Sequence, residues 1–191
     1  MKRQTPIRFP FNERKAAAAA SHLLRLAGGT MPYLELIKLM YFADRESLDL
    51  YGQPITGDRY VNMKHGPVLS SVYDLIKHTI FGAKPPRGPW GTIISKKGRW
   101  ELRLTGEPDV TPLSAAELAL LKDVFDTRRL RDRWETRDAS HALPQWEKPD
   151  KKSTPLPVEQ ILAVLGKSAD EVEAVRARAA ERAHFDKIFG S

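Results

Sequence analysis

Two adjacent residues of the sequence, Lys64 and His65, have side chains that could transfer a proton or bind a ligand. They follow the alternating apolar residues of "RYVNM" and precede Gly66 and Pro67, a pattern that predicts a short strand followed at once by a helix. Acid–base catalysis requires a second titratable group at a matched position, and none stands at a fixed spacing from this histidine. The pattern therefore favours a hydrogen-bonded corner residue over a catalytic histidine.

A second group of charged residues, Asp44, Arg45 and Glu46, lies near the end of a predicted helix. These side chains could line a polar site, but charged residues on helices readily pair with residues one turn away or face water. We expect a solvated or salt-bridged helix end. Asp58 and Arg59 follow the next loop, and we expect them to tie that loop to the strand.

The residue types that other common active sites need are absent or scattered in this sequence. There are no cysteines, which excludes disulfides, thiolate nucleophiles and cysteine-bound zinc and fits a reducing cytoplasm. The five histidines form no i, i+4 pair, the glycines form no phosphate-binding loop, and no serine stands in a glycine-flanked elbow. We expect no metal, no cofactor and no enzymatic activity. No apolar run approaches the ~20 residues of a membrane-spanning helix, so we expect a cytoplasmic protein without membrane contact.

Positive charge is the main compositional feature. The 191-residue sequence has a net charge of +7 and a pI of about 9.7, which favours acidic partners or nucleic acid. The densest basic cluster, "TRRLRDRW", contains Arg128, Arg129, Arg131 and Arg133. These arginines could contact phosphates while Trp134 stacks on a base. The alternative, which we favour, is the basic C-terminal end of an amphipathic helix in which Leu130 and Trp134 pack.

The four tryptophans are more typical of core or interface anchors than of a cofactor site. They are Trp90, Trp100, Trp134 and Trp146. The last of them lies in "SHALPQWE", which we expect to form a turn that brings the ring near the domain.

Helix signals dominate the first part of the chain. Asn12 or a nearby residue is placed to cap a first helix that runs to about Leu26 and that Gly28 and Gly29 end. Its run of five alanines has the highest helix propensity. Thr30 is placed to cap a second helix, with Pro32 in its first turn. The broad apolar face of this second helix, from Leu34 to Leu48, predicts the centre of the core.

Two stretches of the sequence predict a small amount of β-structure. The first is "RYVNM", after which Gly66 and Pro67 are expected to begin a helix. The second covers residues 92–105 and is expected to form two strands around a Lys-Lys-Gly turn. Ser114 and Glu117 have capping-box spacing before a further helix, which continues or restarts in the arginine cluster. The sequence therefore predicts an α+β fold, a mostly helical domain with a small antiparallel β-sheet or hairpin.

A proline-rich, charged stretch from Lys148 to Pro157 predicts the edge of the main domain. We therefore divide the chain into a domain over residues 1–147 and a linker with a helical extension over residues 148–191. The extension has a short helix followed by a second one, which begins with another capping-box pair, Ser168 and Glu171.

The segment from Leu36 to Lys77 resembles the Panacea domain, the family of SocA-like antitoxins. That family shows a helix with a lysine, a leucine and a "YFAD"-like run, then an "ITGD"-like turn, then a tyrosine and a "GPV" element that leads into a helix. The matching residues here are Lys38, Leu39, Tyr41 to Asp44, Ile55 to Asp58, Tyr60 and Gly66 to Val68. The later "ASHALPQWE" is similar to the family's "S-H-x-x-x-x-W" element, so the resemblance covers roughly Asn12 to Glu147.

The resemblance implies a bacterial or phage-associated antitoxin, encoded beside a toxin gene, that neutralises its cognate toxin by direct contact and is not an enzyme. It does not identify the toxin, because the family pairs one domain with many unrelated toxins. From motif position we expect the partner to contact Lys38, Tyr41, Asp44, Asp58, Arg59, Tyr60, Lys64 and His65. The extension after residue 147 does not match the shared domain and is a candidate for this protein's own specificity element.

Two other functions fit the sequence. The positive charge and the arginine cluster would suit a nucleic-acid-binding regulator that acts on its own promoter DNA. An adaptor that presents its partner to a protease would share all the binding features of an antitoxin. The expected partners are therefore a toxin protein and, in the two alternatives, promoter DNA or a protease.

Overall fold

The structure of the protein, a computed structural model, describes residues 5–130 and 132–189. Within these residues the chain forms eight helices and two three-stranded antiparallel sheets, which confirms the α+β prediction. The helices are α1 (Glu13–Leu26), α2 (Tyr33–Tyr51), α3 (Ser70–Phe81), α4 (Pro89–Ile93), α5 (Ala115–Arg128), α6 (Arg133–His141), α7 (Val158–Val164) and α8 (Ala169–Phe189). The strands are β1 (Thr30–Pro32), β2 (Tyr60–Met63), β3 (Gly66–Leu69), β4 (Ile94–Lys97), β5 (Glu101–Leu104) and β6 (Ser153–Leu156).

Helix α2 is the centre of the core, as the sequence predicts. Most of its residues from Glu35 to Leu48 are buried, and α1, α3, α5 and α6 pack around it. Helix α1 begins where expected, because the side chain of Asn12 accepts a hydrogen bond from the backbone N–H of Lys15, 2.9 Å away. Its five alanines are all buried, and side chains this small let α1 lie close to its neighbours.

The prediction that Thr30 caps α2 is wrong. Thr30–Pro32 forms β1, which pairs with β5 in a sheet of order β1-β5-β4, and α2 begins only at Tyr33. The reason is local, since the residue before a proline is held in the extended region, so Met31 cannot lie in the first turn of a helix. The predicted hairpin of β4 and β5 is confirmed, with Gly98 at φ +63° in its turn.

The prediction that Gly66 and Pro67 begin a helix is also wrong. Both residues lie in β3, which pairs antiparallel with β2 in a second sheet of order β3-β2-β6. Lys64 and His65 are therefore the two-residue turn of a β-hairpin, and the helix begins afterwards, at Ser70. A proline is tolerated in β3 because this strand lies at the edge of its sheet, where one side needs no N–H donor.

The capping box before α5 is confirmed. The hydroxyl of Ser114 accepts the backbone N–H of Glu117, and the glutamate carboxylate accepts the backbone N–H of Ser114. Of the two predicted outcomes for this helix, the structure shows a restart. The chain leaves α5 after Arg128 and enters α6 with Asp132 as the N-cap.

Residues after the predicted domain edge add to both the sheet and the core. Strand β6 pairs antiparallel with β2, and α7 buries Ile161 and Leu162 completely. The capping box predicted at the start of α8 is present, because Ser168 and Glu171 each accept the other's backbone N–H. The division of the chain after residue 147 stays a prediction, although the two parts share one sheet.

The contribution of the C-terminal part to stability can be measured at Leu162. Leu162→Ala removes a fully buried side chain, and we expect it to lower the free energy of unfolding by about 2–5 kcal/mol. Val164 lies on the same helix but is 37% exposed, so Val164→Ala should change stability by only about 0.5 kcal/mol. Urea unfolding followed by tryptophan fluorescence gives both values. A small separate transition that alone responds to Leu162→Ala would instead show that the extension folds independently.

Candidate functional site

The β2–β3 hairpin carries Lys64 and His65, whose side chains could transfer a proton or bind a ligand. Lys64 and His65 are exposed at its tip, and Gly66 follows with φ +89°. A Cβ on this glycine would lie only 2.3 Å from Oγ of Ser140 and 2.9 Å from Nζ of Lys38. Glycine is therefore needed both for the backbone conformation and for the close packing of the hairpin against α2 and α6.

Lys38 of α2 supports the hairpin from inside. Its side chain is fully buried, and its Nζ donates a hydrogen bond to the backbone carbonyl of Pro67 at 2.9 Å. Burial, helped by the positive charge of Arg137, lowers the pKa of this amine to about 7. The lysine joins the hairpin to the central helix and is not on the surface.

Asp44 of α2 holds the loop between α2 and β2. Its Oδ1 accepts the backbone N–H groups of Ile55 and Thr56 at 3.1 and 3.0 Å, and its Oδ2 accepts the hydroxyl of Thr56 at 2.5 Å. The expected solvated or salt-bridged position is wrong for Asp44, which is buried, whereas Arg45 and Glu46 do form an ion pair at 3.6 Å. Burial raises the pKa of Asp44 to about 7, against the opposing effect of the hydrogen bonds from Thr56.

Asp58 links the same loop to the elements that follow. Its Oδ1 accepts the backbone N–H of Arg59 at 2.7 Å, and its Oδ2 accepts that of Val72 in the first turn of α3 at 2.9 Å. A carboxylate at this place satisfies a backbone donor that the helix leaves unpaired. Asp58 therefore ties the loop to β2, as predicted, and also fixes the start of α3.

Two buried tyrosines complete the internal framework. The rings of Tyr41 and Tyr60 meet edge to face with their centroids 5.9 Å apart. The hydroxyl of Tyr41 accepts a hydrogen bond from Nε2 of Gln145 at 2.9 Å, and burial raises the pKa of this tyrosine to about 12. Gln145 itself is fully buried, and Trp146 donates its indole N–H to the carbonyl of Met63 at 3.1 Å. The predicted turn that brings Trp146 near the domain is confirmed.

The predicted partner-binding residues therefore fall into two groups. Lys38, Tyr41, Asp44, Asp58 and Tyr60 are buried, whereas Arg59, Lys64 and His65 are exposed. The buried group forms the framework that positions the exposed group. A role in partner binding stays a prediction for all eight residues.

The arginine cluster is largely engaged with the protein itself. Arg128 forms an ion pair with Glu46 at 2.9 Å, and Arg129 forms one with Glu35, so both guanidinium groups are bound to carboxylates of α2. Arg131 lies outside the described residues. Contact with phosphates would therefore have to compete with these two ion pairs for Arg128 and Arg129.

The other end of the cluster differs from the prediction. Leu130 and Trp134 are 41% and 47% exposed, so the expected packing of this pair is wrong. The guanidinium groups of Arg133 and Arg137 each lie 5.0 Å from the centre of the Trp134 ring. The exposed indole thus lies beside two cations and is not packed in the core.

Four aromatic residues, of which Phe81, Trp100 and Trp134 are exposed and Tyr33 is half-buried, gather near the start of α2. We call them the aromatic patch: Tyr33, Phe81, Trp100 and Trp134. The rings of the first three lie 6.0 to 6.5 Å apart, and Phe81 and Trp100 are 58% and 38% exposed. A pocket of about 270 Å³ is lined by Tyr33, Trp100 and Trp134 together with Arg133. No sequence pattern predicts this patch, because its members come from four different segments of the chain.

A cleft of about 430 Å³ adjoins the aromatic patch and shares Tyr33 and Leu34 with its pocket. It is bounded by the start of α2, the β2–β3 hairpin and residues 148–152, and we call it the lysine cleft. Its basic residues are Lys38, Lys64, His65, Lys148, Lys151 and Lys152. The exposed hairpin tip thus forms one wall of a concave surface.

Metal binding and membrane insertion each need a recognisable arrangement of side chains. Among residues 5–130 and 132–189, no group of three or more His, Asp or Glu side chains is placed to hold a metal ion. In the same part of the chain, none of the helices combines the length and the apolar character that crossing a membrane requires.

A family model described as antitoxin SocA-like, Panacea domain, matches residues 36–147, which is more than half of the chain. The chain belongs to this family. No curated protein and no solved structure matches it. Membership confirms the resemblance seen in the sequence, supports an antitoxin role with a toxin as partner, and favours a non-enzymatic function.

The region matched by the Panacea family contains the framework but only part of the two surfaces. Lys38, Asp44, Asp58 and Gly66 all lie within it, as do three of the four residues of the aromatic patch. Residues 148–152, which supply three lysines to the cleft, lie outside it. The cleft is therefore built jointly by the Panacea domain and by the segment that follows it.

The tight packing around Gly66 can be tested by comparing the effect of an alanine there with its effect at Gly98, a second glycine of positive φ. We expect Gly66→Ala to lower the free energy of unfolding by more than about 2 kcal/mol, because backbone strain adds to steric overlap. Gly98 has φ +63°, but no heavy atom lies within 4 Å of the position that a Cβ would occupy, so Gly98→Ala should cost only about 1 kcal/mol. Chemical denaturation of both variants measures the difference, and equal losses would contradict close packing of the hairpin.

The burial of Asp44 predicts a pH dependence of stability. Its folded-state pKa of about 7 lies above the unfolded value near 3.9, so the folded chain binds more protons between these two pH values. The stabilisation from protonated Asp44 is therefore present at pH 4 and is lost as the pH rises through 7. Relative to Asp44→Asn, which does not titrate, the wild-type free energy of unfolding should fall by up to about 4 kcal/mol between pH 4 and 8. Denaturant unfolding at several pH values measures this difference, and a constant difference would show that the folded carboxylate stays charged.

Proposed function

We propose that this protein is an antitoxin that neutralises its cognate toxin by direct binding, and that the aromatic patch is the main contact. The observation that carries the proposal is a cluster of exposed aromatic rings on a fixed framework, located mostly within the antitoxin-family region. Large exposed apolar clusters on a protein surface commonly mark interaction sites.

The composition of the patch matches what protein interfaces use for affinity. Tryptophan, tyrosine and arginine are enriched at the positions that contribute most to binding. Besides the two arginines at Trp134, the guanidinium of Arg99 lies 4.8 Å from the centre of the Trp100 ring. Each exposed indole thus presents an apolar surface with a charged group beside it, which suits a partner that carries both apolar and acidic side chains.

The patch is held in place by backbone contacts. The N–H of Tyr33 donates a hydrogen bond to the carbonyl of Trp100 at 2.9 Å, which joins the start of α2 to the β4–β5 hairpin. Phe81 ends α3, whose first turn is fixed by Asp58. Side chains that are already ordered lose less conformational entropy when a partner binds, so more of the contact energy appears as affinity.

The two groups that would be first candidates for acid–base chemistry have structural contacts. Lys38 and Asp44 both have a pKa near 7, a property that often marks catalytic groups. Both are buried, however, and both hydrogen-bond to backbone atoms of the hairpin or the loop. Because these hydrogen bonds hold the hairpin and the loop in place, both residues have a structural reason to be buried. This supports the non-enzymatic role that family membership favours.

The two alternative functions stay predictions. Promoter binding through the arginine cluster would compete with the ion pairs that Arg128 and Arg129 make with α2. Delivery of the toxin to a protease would use the same contact surface as simple neutralisation. The half-life of the toxin in cells with and without this protein separates delivery from occlusion.

Co-expression with the protein encoded beside this gene tests the proposal. Trp100→Ala with Trp134→Ala should abolish growth rescue and weaken binding of the purified toxin at least about 30-fold, since one central aromatic contact contributes about 2 kcal/mol. Both side chains are substantially exposed, so the variant should fold, which circular dichroism and a thermal melt verify.

Leu50→Ala is the matched control, because Leu50 is 63% exposed but is not part of the patch. It should leave rescue and binding unchanged. Full rescue by the double tryptophan variant would remove the patch from the proposal. A neighbouring gene product that does not inhibit growth, or that still inhibits growth beside the wild-type protein, would overturn the antitoxin function itself.

A further inference from the structure

The lysine cleft has an unbalanced charge. In the part of the chain that the structure describes, its lining contains five lysines and one histidine but no aspartate or glutamate. Four of these lysines, Lys64, Lys148, Lys151 and Lys152, are exposed at its rim, whereas Lys38 is buried beneath it. Like charges that converge on one concave surface attract an anionic group from solution.

Acidic residues stand near the cluster in the sequence but do not line the cleft: Glu147 and Asp150 belong to the same segment as three of the rim lysines, and neither contributes to the lining. The pKa of His65 is lowered by partial burial and then by the positive charges of Arg137, Lys64 and Lys38. On α6, Asp138 accepts a hydrogen bond from Nε of Arg137 at 2.7 Å. The positive groups therefore repel one another, and a carboxylate bound between them would relieve that repulsion.

The floor of the cleft is apolar, which restricts the kind of anion. Leu34, Ile37 and Val68 line it together with the ring of Tyr33. A volume of about 430 Å³ accommodates a few amino-acid side chains and does not admit a nucleic-acid duplex. A ligand that fills this space combines carboxylates with aliphatic side chains, as an acidic polypeptide segment does.

We propose that the lysine cleft binds an acidic segment of the toxin polypeptide, with its carboxylates paired to the rim lysines and its aliphatic side chains on the apolar floor. This inference rests on the proposed antitoxin function and specifies the chemistry of the partner. Three rim lysines come from residues 148–152, outside the family-matched region, so the segment that follows the Panacea domain takes part in partner selection.

A peptide-binding experiment tests the cleft without the toxin. The probe is a fluorescein-labelled synthetic peptide in which glutamates alternate with leucines, and its affinity for the full chain is measured by anisotropy at low ionic strength. The variant K148Q/K151Q/K152Q should bind about tenfold more weakly, because three exposed charge pairs are lost. A matched peptide with glutamine in place of glutamate should bind the wild-type chain about as weakly as the acidic peptide binds this variant.

The control variant K84Q/K96Q/K97Q removes the same charge from exposed positions that do not line the cleft. It should keep the wild-type affinity within about twofold, since distant surface charges are screened. Equal losses in the two triple variants, or equal binding of the two peptides, would overturn the proposal. Tighter binding of a random-sequence single-stranded DNA that displaces the peptide would overturn the proposal and assign the cleft to nucleic acid instead.

The same variants separate this inference from the proposed function. If K148Q/K151Q/K152Q loses both the peptide and most of its affinity for the toxin, the cleft is a toxin-binding site. If it keeps full affinity for the toxin while the double tryptophan variant loses it, the antitoxin function stands and the acidic-segment proposal fails. If the wild-type chain binds no toxin at all, the antitoxin function and the identity of the occupant fail together, whatever the peptide shows.

Discussion

The burial of α2 on nearly all sides is the constraint on which the rest of the structure depends. A helix in this position cannot expose its polar side chains to water, so each must find a partner inside the protein. Lys38, Tyr41, Asp44 and Ser47 do so by hydrogen-bonding to four different places: β3, Gln145, the middle of the α2–β2 loop at residues 55 and 56, and the carbonyl at residue 53. One helix thereby fixes the hairpin, the loop and the segment that precedes the C-terminal part.

This use of polar residues decides where function can lie. Lys38 and Asp44 are buried and each has a pKa of about 7, which is typical of catalytic groups. Their hydrogen bonds, however, join them to backbone groups of the hairpin and the loop. Two accessible features of the surface are the aromatic patch and the lysine cleft, whose pockets share Tyr33 and Leu34. Adjacent apolar and charged surfaces on a fixed support are typical of protein interfaces, where aromatic side chains commonly contribute affinity and charges contribute selectivity.

The sequence predicted those parts of the fold whose signals are local. The N-cap at Asn12, the capping boxes before α5 and α8, and the hairpin of β4 and β5 depend on residues a few positions apart, and all are confirmed. The burial of Asp44 could not be predicted from local sequence, because its hydrogen-bond partners lie eleven and twelve residues away, on a loop that folds back onto α2. Strand β3 was missed for a similar reason, since a "GPV" element suits both an edge strand and the first turn of a helix until its pairing with β2 is known.

The position of β6 explains how a segment outside the family-matched region can act together with the framework inside it. β6 pairs antiparallel with β2, with Leu156 opposite Tyr60 and Ser153 opposite Met63, so the chain just before β6 lies beside the tip of the β2–β3 hairpin. A strand register fixes position to within one residue, because a slip by one would turn buried side chains outward. The lysines at 148–152 are therefore placed against the hairpin by backbone hydrogen bonds that do not depend on their own side chains. Substitutions among them can therefore change the charge and shape of the cleft while the framework on α2 stays unchanged.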